Sequence, residues 1–340
     1  MHIHHFPNNL ASFKTRFSDV LEKMLVADEL GAFILVLANS MQDKALQAQL
    51  TPSLKRKFKQ LQHSFNNENL QAAKDDYDVF SALVSLGIDK LPVWKYRQAL
   101  PWRLVYNPMR SLRPARSSGE MITVLQRPFN PDGFHFNKPF LEAEIFWEGE
   151  NNQVAVRIFY NKFPFAPYHL LIVPDFSQCL PQFLTRKYHL FIWNFVKEHS
   201  ENLTGLAVAF NSLGAYASIN QLHFQSFIEE KLLPIENDVW VHNGGTISYP
   251  VDCYKADNST KAWEFIESLH QLPQAYNLLY RGGCCYIVSR KFQGEEILPD
   301  WVQGIAWSET CGVQTLGDQT LFDRLTQEDV MSFLSSNRAY

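Results

Sequence analysis

The stretch Asn211-Ser-Leu-Gly-Ala-Tyr-Ala-Ser-Ile-Asn-Gln-Leu-His-Phe-Gln-Ser-Phe227 runs from a loop of small and polar residues into a segment that alternates like a strand. That alternation puts Gln221, His223 and Gln225 on one face and Leu222, Phe224 and Ser226 on the other. Around Gly214, Ala215, Ala217 and Ser218 few side chains obstruct the backbone N–H groups, so an anion can approach them closely. The loop reads as a phosphate cradle aimed at an imidazole flanked by carboxamides. Asn211, Gly214 and Ser218 are its candidate phosphate ligands. Taken alone, these three are better read as an ordinary strand-to-strand turn that uses Gly and Ser for backbone reasons.

Outward from this stretch, short β-like segments follow one another: Trp102–Tyr106, Met121–Gln126, Leu141–Trp147, Gln153–Tyr160, His169–Val173, Gly205–Asn211 and Leu222–Ile228. One helix interrupts them at about Leu184–His199. A second cycle predicts a strand at Val239–His242, a helix at Ala262–His270, strands at Ala275–Tyr280 and Cys285–Ser289, and a closing helix at Gln327–Ser335. Strands with covering helices give an α+β sheet. Upstream, Phe13, Phe17, Val20, Leu21, Met24, Leu25, Phe33, Ile34 and Leu37 recur at helical spacing. Two or three helices are expected there, with breaks at Thr51-Pro52 and Asn66-Asn67, then a helix from Asp75 that stops at Gly87. The expected organisation is an N-terminal helical extension over residues 1–95, a catalytic unit over 96–235 and a second related unit over 236–340.

With 340 residues, 46% hydrophobic and 26 phenylalanines, the chain can bury a large core. A net charge of −4 provides no field for a polyanion. The basic run Ser53-Leu-Lys-Arg-Lys-Phe-Lys59 falls on helical spacing and reads as a solvated face, so no nucleic acid is expected. No apolar run reaches the roughly 18 residues of a membrane helix. The start Met1-His-Ile-His-His5 lacks a signal peptide's apolar core, so the expectation is a soluble, cytoplasmic protein. Five cysteines without a C-x-x-C pair indicate neither a disulfide framework nor a zinc site. No metal and no cofactor are expected.

Asn161-Lys-Phe-Pro-Phe-Ala-Pro-Tyr-His-Leu-Leu-Ile-Val-Pro174, followed by Asn220-Gln-Leu-His-Phe-Gln225, resembles the strand-turn-strand and the H-x-H-x-H/Q element of histidine-triad and galactose-1-phosphate uridylyltransferase-like proteins. Within that superfamily Asn211–Gln225 is most similar to the active segment of the GDP-L-galactose/GDP-D-glucose phosphorylases. Tyr106-Asn-Pro-Met-Arg-Ser-Leu-Arg-Pro-Ala-Arg116, Ser248-Tyr-Pro-Val251 and Trp307-Ser-Glu-Thr-Cys-Gly312 also resemble segments of theirs. Tyr276-Asn-Leu-Leu-Tyr-Arg281 resembles the diadenosine tetraphosphate phosphorylases. The resemblance covers roughly residues 100–340. It implies an antiparallel histidine-triad-like sheet with two related halves, in a superfamily that often pairs protomers through its sheets, so a homodimer is among the expectations.

The resemblance also implies the chemistry. His223 would attack the α-phosphorus of a nucleoside diphosphate sugar, expel a sugar phosphate, and pass the nucleotide to inorganic phosphate. Gln225 would donate its amide N–H to a phosphoryl oxygen. Gln221 stands where the family has its first histidine, keeping hydrogen-bonding capacity without a titratable proton. Arg110, Arg113 and Arg116 are candidate phosphate partners, each in competition with a solvated basic loop. Asn161 resembles a position facing the nucleotide ribose, in competition with capping its own proline turn. His169 is assigned to the core strand, and Glu309 receives no task. A GDP-hexose is the preferred substrate. Phosphorolysis of a dinucleoside polyphosphate and a non-catalytic nucleotide-binding protein are the alternatives.

Overall fold

The computed structural model describes residues 6–26, 29–113 and 120–339. The start Met1–His5 and Arg116 lie outside the described residues. Four helices come first: α1 (Leu10–Met24), α2 (Leu30–Ser40), α3 (Lys44–Asn66) and α4 (Lys74–Leu86). There follow β1 (Lys95–Ala99), β2 (Trp102–Tyr106), β3 (Ile145–Asn151), β4 (Val154–Tyr160), β5 (Leu170–Pro174), α5 (Arg186–His199), β6 (Leu206–Asn211) and β7 (Phe224–Ile228). The remainder is β8 (Asp252–Ala256), α6 (Ser259–Gln271), β9 (Ala275–Arg281), β10 (Cys284–Arg290), the single turn α7 (Trp307–Thr310), β11 (Val313–Leu316), α8 (Gln319–Arg324) and α9 (Gln327–Ser336). None of the helices is long and apolar enough to cross a membrane, among the described residues.

Eight strands form one antiparallel sheet in the order β3-β4-β5-β7-β6-β9-β10-β8, beside a three-stranded sheet β1-β2-β11. The large sheet is continuous across the 235/236 boundary, because β6 pairs with β9 from Val208↔Tyr280 to Asn211↔Asn277. Register carries one row of residues, Phe159, Leu171, Gln225, Ala209 and Leu279, across five strands. Side chains alternate faces along a strand. The opposite face is therefore the one on which Tyr160 meets Phe17 of α1 at 4.8 Å, and Tyr280 meets His189 of α5. Helices cover that face, and the row through Gln225 looks toward α7 and an open cavity.

Four expectations give way. Residues 121–126 make only an isolated bridge, Ile122 to Gln293, and 139–144 wind as a 3₁₀ helix, so β3 starts at Ile145. Residues 241–243 form a 3₁₀ turn where a strand was expected, while β8 went unforeseen. Helix α3 passes straight through Pro52. Proline there is exposed, so the carbonyl it leaves unbonded faces water, and burial of Leu46, Leu50, Leu54, Phe58 and Leu61 along one face outweighs a cost of about 3 kcal/mol. The expected break at Asn66-Asn67 does end the helix. Gly87 closes α4 at φ 78, a left-handed conformation that glycine accepts without a Cβ clash.

Candidate active site

His223 sits immediately before β7, and Gln182 holds its backbone from both sides. The Gln182 Oε1 accepts from the His223 N–H at 2.9 Å, and its Nε2 donates to the carbonyls of His223 at 3.2 Å and Asn211 at 2.9 Å. One buried carboxamide thus ties both ends of the loop 211–223 together. His223 Nδ1 lies 2.7 Å from the Gln221 carbonyl oxygen. A carbonyl only accepts, so Nδ1 carries the proton and Nε2 keeps its lone pair. Burial pulls the His223 pKa down to about 4, leaving a neutral imidazole at pH 7. The ring packs 5.2 Å from Phe136 and lines a cavity of about 520 Å³.

Gln225, two residues on, lines the same cavity. Its Oε1 accepts from His169 Nε2 at 3.0 Å and from the Trp307 indole N–H at 2.8 Å. His169 Nδ1 takes the Phe165 N–H at 3.4 Å, which fixes the tautomer with the proton on Nε2. Full burial draws the His169 pKa down to about 3, helped by the Arg110 charge. With the Gln225 oxygen occupied by two donors, its amide NH₂ is the end left for a ligand. Trp307 stacks on Phe227 at 4.5 Å, and its backbone N–H donates to Asn211 Oδ1 at 3.0 Å. Asn277 Nδ2 adds a second donor to that oxygen at 2.7 Å. Asn211 is oriented in the same way, oxygen inward and amide toward the cavity it lines.

Arg110 ends a 3₁₀ turn that Asn107 caps, its Oδ1 accepting from the Met109 N–H at 3.0 Å while its Nδ2 donates to the Pro164 carbonyl at 2.8 Å. The guanidinium lies over the Phe165 ring, 5.5 Å from its centroid. Its Nε and Nη1 are buried without a hydrogen-bond partner among the described residues. Arg113 and Glu309 line the cavity beside it. Burial pushes the Glu309 carboxyl up, against the Ala306 N–H and the two arginines. Tyr216, at φ 66, also lines it, entering space that a side chain at Gly304 would fill, since a Cβ there would come within 2.8 Å of the ring.

The cavity brings together His223, Gln225, Asn211, Ser218, Asn161, Arg110 and Arg113. Asn161 also caps its turn, its Oδ1 accepting from the Phe163 N–H at 3.0 Å. Two candidates are elsewhere. Gly214 lies under Phe292, where a Cβ would come within 2.4 Å of the ring, so its small size answers to packing. Gln221 turns away from His223, because the strand alternation begins only at Phe224. Its Oε1 accepts from the Phe136 N–H at 2.7 Å and its Nε2 donates to the Phe176 carbonyl at 3.2 Å. Sequence reasoning missed the positioning roles of Gln182, His169 and Trp307. Histidine 169 was visible in the Pro-x-Ala-Pro-x-His turn, whereas nothing local marks Gln182, which reaches across 41 residues.

Residues 102–227 match the family model "GDPGP1-like, N-terminal domain". GDP-D-glucose phosphorylase 1 of Xenopus laevis is 40% identical over 180 residues, 41% of this chain and 44% of that protein. GDP-D-glucose phosphorylase 1 of Danio rerio is 32% identical over 123 residues, 36% of this chain and 35% of that protein. The chain thus spans less than half the length of these curated relatives. The crystal structure of yeast Ap4A phosphorylase Apa2 in complex with AMP superposes with a TM-score of 0.51 at 18% identity, covering 78% of this chain and 96% of that one. Through residues 102–227 the chain is similar to the GDP-hexose phosphorylases, on a fold it shares with Ap4A phosphorylase.

Proposed function

We propose that the chain is a nucleotidyltransferase that phosphorolyses a nucleoside diphosphate sugar, a GDP-hexose, through a nucleotidyl-histidine at His223. Nε2 attacks the α-phosphorus and the bond to the bridging oxygen breaks. Hexose 1-phosphate leaves, and GMP stays on Nε2. Inorganic phosphate then attacks the same phosphorus, the P–N bond breaks, and GDP leaves with the imidazole neutral again. The Gln221 carbonyl on Nδ1–H stabilises the positive charge that the ring carries in the intermediate. The Gln225 amide donates to the phosphoryl oxygens as charge shifts among them.

The observation that carries this reading is the pairing, in one cavity, of a His223 Nε2 lone pair with an Arg110 whose buried Nε and Nη1 have no partner among the described residues. Such unpaired donors ask for an anion. The glutamine at 221 is no obstacle. The leaving group is a phosphate monoester with a second pKa of about 6, which departs without a proton from an acid. The segment Tyr276–Arg281, which favoured a dinucleoside polyphosphate, serves the core. Tyr276 bonds His270 and Arg281 pairs with Glu236, so no observation favours that alternative.

Incubation with phosphate and either GDP-glucose or diadenosine tetraphosphate tests the reading. GDP and hexose 1-phosphate are expected from the first. Intact mass after GDP-glucose without phosphate should show a GMP adduct, absent from His223→Ala. Turnover without any adduct would remove the covalent step.

A further inference from the structure

From His223 an aromatic chain leads away from Arg110. Phe136 stacks on Phe159 at 5.4 Å, and Phe134 lies 6.2 Å from Phe136 and 6.4 Å from Phe140. Phe136, Phe159 and Leu141 belong to a small apolar cluster separate from the main core, with Leu171 and Ile219 packed on it. Phe136, Phe159 and Leu141 are buried, Leu171 and Ile219 half-buried and the rings of Phe134 and Phe140 exposed, and all line the cavity. This end has the shape and chemistry to take a flat heteroaromatic ring.

A carboxylate breaks its apolar character. Glu144 closes the 3₁₀ helix Pro139–Glu144, in which residues three apart eclipse, so it stands above Leu141 on the cavity side. Its carboxyl has no hydrogen bond or ion pair among the described residues. Lys162, whose charge acts on that carboxyl, is held by Asp76 of α4 at 2.7 and 2.8 Å. The helical extension therefore occupies the lysine that would otherwise neutralise Glu144. Burial, together with the charges of Asp76 and Glu29, pushes the Glu144 carboxyl up to about 7 against the pull of Lys162.

Resting on the nucleotidyl-transfer reading of the cavity, we infer that Glu144 selects guanine, its carboxylate accepting the N1–H and N2–H of a base held among Phe134, Phe136, Phe140 and Phe159. Guanine offers two adjacent donors on that edge. Adenine offers one donor beside the N1 lone pair, which a carboxylate repels. A glutamine reverses this, since its oxygen accepts from N6–H while its amide donates to N1.

Calorimetric titration with GMP, IMP and AMP, none of which has a scissile anhydride, tests the assignment apart from turnover. The unaltered protein should bind GMP about 10- to 100-fold more tightly than AMP, with IMP between because it lacks the 2-amino group. In Glu144→Gln, GMP should weaken by a similar factor while AMP strengthens. Equal loss for all three nucleotides, or an unaltered protein indifferent to the base, overturns the inference even if GDP-glucose is turned over. Base selection without turnover upholds it and sinks the phosphorylase reading. No binding of any nucleotide sinks both. The GMP-to-IMP ratio of the unaltered protein needs no variant, so a poorly folding Glu144→Gln does not shelter the claim.

Discussion

The imidazole of His169 donates its Nε2–H to Oε1 of Gln225 at 3.0 Å, from the position just before β5, 56 residues earlier in the chain. A histidine that is fully buried and held neutral acts here on the orientation of an amide. Once His169 and Trp307 occupy the oxygen, the NH₂ of Gln225 has one direction left, toward His223 and the cavity.

Loss of that amide should be costly to the rate. Gln225→Ala is expected to lower kcat about 10²–10³-fold, the usual effect of removing one donor to a developing oxyanion. Gln225→Glu keeps both contacts to His169 and Trp307 but offers no N–H, so it should do at least as badly while folding normally. His169→Ala should lower kcat by a smaller factor and leave GMP binding nearly intact. If Gln225→Glu kept ordinary turnover, the glutamine would have only a packing role.

Gln221→His tests the family's first histidine. The glutamine side chain bridges the backbones of Phe136 and Phe176 outside the cavity. Restoring an imidazole there is expected to give no gain in turnover and a loss of about 1–3 kcal/mol, measured by urea unfolding, as buried backbone groups lose partners. A tenfold rise in kcat would show that position 221 reaches the substrate after all.

This position shows where reading the sequence stops working. Alternation along 221–225 paired Gln221 with His223, and it would hold if the strand began at Gln221. The Gln182 clamp delays it to Phe224, and a contact spanning 41 residues leaves no local trace. The central strands β4, β5, β6, β9 and β10 were legible because their apolar runs are flanked by turns. The edge strand β8, Asp252-Cys-Tyr-Lys-Ala256, is only half-buried along most of its length and carries little pattern. In the same way Pro52 signals a break locally, while the buried stripe of α3 decides otherwise. The role of residues 74–76 was invisible because it depends on α4 folding back to the cavity, where Asp76 meets Lys162.

Acid should weaken the fold before it reaches any catalytic ionisation. Burial lowers His169 to about 3 and both His189 and His223 to about 4, and it also lowers His199, His242 and His270. In the unfolded chain these rings titrate near 6.5. Below that pH the unfolded state binds more protons than the native one, so stability falls as pH drops from about 6.5 toward 4. Glu144 and Glu309, whose pKa values are raised, oppose the trend, but they are two carboxyls against six rings. The urea midpoint should therefore be lower at pH 5 than at pH 7. A midpoint unchanged or higher at pH 5 would mean that these histidines are not buried neutral.

Arg110 should trade stability for function. Its charge is buried with Nε and Nη1 unpaired among the described residues, an arrangement that costs free energy in the empty protein and that an anion bound beside the guanidinium offsets. Arg110→Ala removes the penalty and the anion site together, leaving Glu309 the Ala306 N–H and the charge of Arg113. Turnover of a GDP-hexose is expected to fall about 10²–10³-fold, with a raised KM for phosphate, while the melting temperature stays level or rises. Inorganic phosphate should raise the melting temperature of the unaltered protein and leave that of the variant where it was. Arg110→Lys should not restore activity, because an ammonium cannot reproduce the planar guanidinium that lies over Phe165. Should Arg110→Ala instead melt several degrees lower and still respond to phosphate, the guanidinium would be a structural strut over Phe165, and the anion would have to bind elsewhere in the cavity.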